Sequence, residues 1–143
     1  MKIRLLMLGK TRREEIRALL DDYVARIRRY IEIDVTEIRE ATPAALRRVR
    51  MEPGATLVLL DPAGHPFTSQ QFARWLGGLR EHGSREITFL CGSADGFPQE
   101  LRTRATQHIS LSSFTLPHEF ARVVLAEQIY RAFAILSGHP YPK

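Results

Sequence analysis

Residues 87–96 read ITFLCGSADG. Ile87–Cys91 is a run of five apolar or β-branched residues with no polar alternation, which predicts a strand covered on both faces. It breaks into Gly92, Ser93, Ala94, Asp95 and Gly96, a stretch with little side chain. Upstream, Thr56–Leu60 (TLVLL) repeats the pattern and runs into Asp61-Pro62-Ala63-Gly64, expected as a turn that closes the strand. Strands apolar on both faces belong to parallel sheets, whose crossovers are usually helices.

Working outward, helical periodicity fills the gaps between such strands. Ile3–Leu8, closed by Gly9, reads as a first strand. Ile16, Leu19, Leu20, Tyr23, Val24 and Ile27 recur every three or four residues, an amphipathic helix for which Thr11 and Glu14 offer a capping box. Ile31, Ile33, Val35 and Ile38 give a second strand, and Thr42-Pro43 opens a short helical stretch to about Arg50. Thr68 or Ser69 caps a helix from Gln70 to about Arg80 with Phe72, Trp75, Leu76 and Leu79 inward. A short helix near Gln99–Thr106 precedes a last strand, His108–Leu111. The loop Ser112–Leu116 leads to Pro117, in the first turn of a helix ending near Ser137-Gly138. The expected fold is α/β, a single domain over 1–143 with a mainly parallel sheet and helices on both faces.

The final helix is apolar around nearly its whole circumference, from Phe120 through Val123, Val124, Leu125, Ile129 and Phe133 to Leu136. Such a helix needs cover on every side. The sheet supplies one side, and a second copy of the chain, in a homodimer, is expected to supply another.

Composition excludes several classes. The 143 residues are 44% hydrophobic and 26% charged, as in ordinary globular chains. Cys91 is the only cysteine, so no internal disulfide forms. No apolar run approaches a membrane span, and MKIRLLMLGK has no small-residue cleavage site, so the expected location is the cytoplasm with no membrane partner. The net charge of +5 lies entirely in residues 1–50, with 13 basic and 8 acidic residues; residues 51–143 hold 8 of each. Eighteen of the 21 cations are Arg, the residue best shaped for phosphates. A one-sided basic surface suits a polyanion, most simply nucleic acid; a solvated arginine-rich helix is the competing reading.

Ligands of open α/β sheets bind beyond the carboxyl ends of the strands. Three such ends are bare loops: residues 60–64, 92–96 and 111–116. There is no phosphate-binding G-x-x-x-x-G-K and no G-x-G-x-x-G. Histidines 65, 82, 108, 118 and 139 lack metal-ligand spacing, so no metal is expected. Cys91 reads as a core residue rather than a nucleophile.

The string Leu111-Ser-Ser-Phe-Thr-Leu-Pro-His118, then Arg122-Val-Val-Leu-Ala-Glu-Gln-Ile-Tyr-Arg-Ala132 and His139-Pro-Tyr141, resembles the small SPOUT-class methyltransferases of bacterial ribosomes. Leu60-Asp61 with Gly64, the Gly92–Gly96 loop, Leu8-Gly9-Lys10, Tyr23 and Arg26 extend the resemblance over nearly the whole chain. It implies an α/β knot with a C-terminal trefoil, a homodimer, and S-adenosyl-L-methionine as cofactor. It also implies methylation at N3 of a pseudouridine (pseudouridine 1915) of 23S ribosomal RNA on the assembled 70S ribosome. By position, the cofactor contacts would be Leu60, Gly92, Leu111, Ser112, Ser113, Phe114, Thr115 and Leu116. The chain departs from the pattern at Ser93, where a second glycine is usual, in a shorter segment at about 41–54, and at Pro142, where a histidine usually follows the tyrosine.

Methyl transfer from a sulfonium needs an aligned acceptor and no metal. An imide nitrogen must also lose its proton, so a base or an anion-stabilising group is required. The candidates are His118, His139, Tyr141 and Arg122; Arg131 serves equally well as a helix partner of Glu127. Two other readings stand beside this one: a ribosome-binding protein of the same fold without catalysis, and an unrelated nucleotide-binding α/β domain.

Overall fold

The computed structural model describes residues 1–39, 42, 44–45 and 53–141. Its strands are β1 (Lys2–Leu8), β2 (Glu32–Ile38), β3 (Thr56–Pro66), β4 (Glu86–Cys91) and β5 (Gln107–Ser110). Its helices are α1 (Glu14–Ile27), α2 (Ser69–Glu81), α3 (Gln99–Arg104) and α4 (His118–Ser137). The strands form one sheet in the order β2-β1-β4-β3-β5, every pair parallel. The helical stretch expected from Thr42 to Arg50 lies largely outside the described residues.

Strand alternation sorts the apolar residues onto two faces. Ile3, Leu5, Met7, Val58 and Phe89 meet Leu20 and Val24 of α1, Phe72 and Leu76 of α2, and Leu125, Ile129 and Phe133 of α4. Leu6, Leu8, Leu57, Leu59 and Leu90 meet Leu101 of α3 on the other face. All six residues of β4 are buried, as its continuous apolar run requires. Helix α4 packs between α1 and α2. Gly138 ends it in the left-handed region at φ 73°, the usual glycine stop.

Two local expectations are corrected. Thr11 does not cap α1: the N-cap is Arg13, with no side-chain cap bond. Thr11 is buried, and its hydroxyl accepts a hydrogen bond from Arg122 at 2.7 Å, so a long-range partner has taken the group the local motif would have used. Thr68 does build a capping box with Gln71. The second correction concerns Asp61–Gly64. β3 continues to Pro66, and these four residues bulge within it, because Leu60 and His65 both pair with Ile109. The bulge is held by the Asp61 carboxylate, which accepts from the Ala63 amide at 3.0 Å. Glycine is required at 64, since a Cβ there would stand 2.7 Å from the His108 backbone.

Candidate active site

Because all strands are parallel, their carboxyl ends lie at one edge of the sheet. The bulge of β3 and the ends of β4 and β5 open there into a cleft of about 250 Å³. Leu60, Gly92, Leu111, Ser112, Phe114 and Leu116 line it, together with His118 from the first turn of α4. Segments more than fifty residues apart thus meet in one concavity. Ser113 and Thr115, on the same loop, are not among the lining residues. Phe114 stands 84% exposed at the wall, with its amide bonded to the Ser112 hydroxyl at 2.9 Å.

The Gly92–Gly96 wall is made largely of backbone. The Gly96 amide donates to the Ser93 carbonyl at 3.0 Å, closing a tight turn, and Gly96 sits at φ 82°. A Cβ at Gly92 would approach the Phe97 ring at 3.1 Å and the Gly96 carbonyl at 3.2 Å. Backbone groups can approach a planar ligand closely at such a place.

Asp61, from the 60–64 segment expected at a ligand-binding strand end, also lines the cleft, as do Arg102 and Phe97, to which no signal in the sequence assigns a role. Arg102 donates to Asp61 at 3.0 Å, and His108 Nδ1 lies 3.5 Å from the same oxygen. The Ala63 amide, then Arg102 and His108, hold the Asp61 carboxyl below its ordinary range against the opposing effect of burial. No local motif announces a pair separated by 41 positions. Cys91 is buried at the cleft's floor, and burial pushes its thiol up to about 12, so it stays protonated.

The four expected catalytic residues fall into four places. His118 lines the cleft. Arg122, one turn further along α4, is completely buried; it donates to Thr11 and, at 2.9 Å, to the Leu8 carbonyl, fixing the β1–α1 connection. Tyr141 lies against the middle of α4. Its ring packs on Tyr130 at 4.5 Å, and its hydroxyl donates to Glu127 at 3.0 Å and lies 3.2 Å from the Tyr23 hydroxyl. Burial, then the Tyr23 and Glu127 contacts, raise the Tyr141 pKa. His139 is exposed beyond the helix end. Arg131 pairs with Glu127 at 2.7 Å, the helix-partner alternative. Helical rise puts Tyr130, and with it Tyr141, roughly 18 Å along the axis from His118. Pro142 lies outside the described residues.

A parallel α/β sheet with a cleft across its strand ends defines an open-sheet α/β domain, the kind whose ligands bind at that edge. Over residues 1–142 the sequence matches the family described as "Predicted SPOUT methyltransferase". It is 40% identical to a ribosomal RNA large subunit methyltransferase H from Geotalea daltonii, over 99% of each chain. It is 41% identical to the protein of that name from Koribacter versatilis, over 99% of this chain and 97% of the relative. It is 42% identical to the one from Solibacter usitatus, over 99% of each. The chain belongs to the SPOUT methyltransferase family.

Among the described residues no helix is long and apolar enough to cross a membrane, and no three His, Cys, Asp or Glu side chains cluster as metal ligands would.

Proposed function

We propose that the chain is an S-adenosyl-L-methionine-dependent methyltransferase that modifies N3 of a pseudouridine, pseudouridine 1915, in 23S ribosomal RNA on the assembled cytoplasmic ribosome. The observation that carries the reading is the convergence of the β3 bulge, the Gly92–Gly96 turn, the loop after β5 and His118 on one cleft. Full-length relatives named as large-subunit ribosomal RNA methyltransferases support the substrate class.

The cleft fits the cofactor on its own chemistry. Leu60, Leu111 and Leu116 offer apolar walls, and the Gly92–Gly96 turn, with small side chains at Ser93 and Ala94, leaves its backbone groups accessible. Ser113 and Thr115 contribute through the loop that carries their neighbours. When bound there, the cofactor supplies an electrophilic methyl group. The threading of the C-terminal segment through a loop, which makes a trefoil knot, belongs to the same proposal.

His118 is the proton acceptor at the cleft wall. Tyr141, held in its protonated form, is not a base; it serves as a hydrogen-bond donor to a developing imide anion by exchanging its bond to Glu127 for one to the substrate. Arg122 is a positioning residue, because its fork is consumed by Thr11 and Leu8 inside the protein. His139 is the exposed alternative to His118 on the tail. Since His118 and Tyr141 stand roughly 18 Å apart along one helix, they converge only if the cleft of one copy meets the tail of another, which the homodimer provides.

Calorimetry with the cofactor and methyl transfer to ribosomes lacking the modification test this together. His118→Ala is expected to bind cofactor as the wild type does and to transfer methyl about 10²–10⁴-fold more slowly. An unchanged rate removes His118 from the chemistry.

A further inference from the structure

The charge excess of residues 1–50 has a definite place in the fold. Lys10, Arg12 and Arg13 lie on the β1–α1 loop and Arg39 directly follows β2, so all four stand at the sheet edge that carries the cleft. Strand spacing of ~4.8 Å puts the ends of β1 and β2 within ~15 Å of the β3 bulge that lines the cleft.

These cations are exposed. Among the described residues, Lys10, Arg12 and Arg39 make no ion pair, and Arg13 pairs only with the exposed Glu15, at 3.8 Å, while lying over the Phe120 ring at 5.6 Å. Lys10 and Arg39 share a depression with Arg17 and Glu37. The one carboxylate there is already engaged: Glu37 takes Arg17 at 2.8 Å and the Thr11 amide at 2.7 Å. At the opposite edge the balance differs, since Lys2 pairs with Asp34 at 2.7 Å and Arg4 with Glu86 at 3.7 Å.

The basic loop is also fixed. Arg122 grips it from below through Leu8 and Thr11, and the Gly9 amide donates to the Ile38 carbonyl at 2.7 Å. Glu119 accepts from the Arg12 and Arg13 amides at 3.1 Å each. Glu119 adjoins His118, so the loop's anchor is one residue from the cleft wall. Flexible solvated arginines need no such anchoring. A preorganised row of cations leading to a cleft fits a chain of regularly spaced phosphates.

We propose that Lys10, Arg12, Arg13 and Arg39 form a phosphodiester-docking track that guides the RNA backbone to the cleft. The proposal rests on reading the chain as a ribosomal RNA methyltransferase. Its test is the salt dependence of binding to purified 70S ribosomes that lack the modification. Lys10→Ala/Arg12→Ala/Arg39→Ala should bind at least ~10-fold more weakly at low salt. Its slope of log affinity against log salt should be shallower by about 2, at ~0.7 for each phosphate no longer neutralised. Its cofactor affinity, read by calorimetry, should match the wild type, which also reports that the fold is intact. Arg28→Ala/Arg74→Ala/Arg85→Ala removes as much charge from other surfaces and should keep the wild-type slope. Equal slopes for the two triple variants would overturn the track while leaving the enzymatic reading standing. Weaker binding at an unchanged slope would assign the contact to ribosomal protein, and would also overturn it. A wild type that neither binds nor methylates ribosomes defeats the underlying reading instead.

Discussion

Arg122 shows how far a residue's role can depend on partners distant in sequence. Its two terminal nitrogens bond to Thr11 and Leu8, more than 110 positions away, and its Nε is buried without a partner. Burial lowers its pKa. Arg122→Met removes two charge-assisted bonds and is expected to cost about 3 kcal/mol in urea denaturation. Asp61 sets a pH dependence. Its folded pKa lies below the ordinary 3.8, so its contribution to stability is complete above about pH 4 and is lost as pH falls through the lowered value. Denaturation at about pH 6 and about pH 3 should therefore show a larger acid loss in the wild type than in Asp61→Asn. Equal losses would mean that the Ala63, Arg102 and His108 contacts do not persist in solution. Neither role is legible locally. Thr11 has the look of a cap because S/T-x-x-E motifs usually are caps, and only the folded chain brings Arg122 to it.

The elements themselves are legible to a greater extent. The apolar runs at 56–60 and 87–91 mark buried parallel strands, and Thr68 with Gln71 marks a capping box, because these features depend on neighbours in sequence. The bulge at Asp61–Gly64 is not legible, because it depends on β5 pairing twice with the same stretch of β3. The bareness of the glycine turn alone does not separate a ligand loop from an ordinary turn, and the structure sets it against Leu60 and Leu111 across the cleft. Gly92→Val crowds the Phe97 ring and the Gly96 carbonyl, and should weaken cofactor binding at least ~10-fold by calorimetry, as buried overpacking does. An unchanged dissociation constant would move the cofactor away from this loop.

At the scale of the whole molecule, the apolar circumference of α4 divides. Leu125, Ile129 and Phe133 serve the chain's own core, whereas Phe120 and Ile135 are each 42% exposed. Ile135→Arg should therefore leave the fold intact and yield monomers by light scattering if α4 carries the dimer. Within such a dimer, His118→Ala and Tyr141→Phe chains should complement. In an equal mixture after subunit exchange, about a quarter of the sites recover both groups. Sites built within one chain would recover nothing. The most direct test of the central claim uses methyl-labelled S-adenosyl-L-methionine and 70S ribosomes lacking the modification, followed by digestion of the RNA to nucleosides. The account predicts label in one methylated pseudouridine of 23S RNA, strongly reduced with His118→Ala. Wild-type protein that binds the cofactor yet leaves the RNA unlabelled would contradict it, and would favour a ribosome-binding protein of the same fold without catalysis.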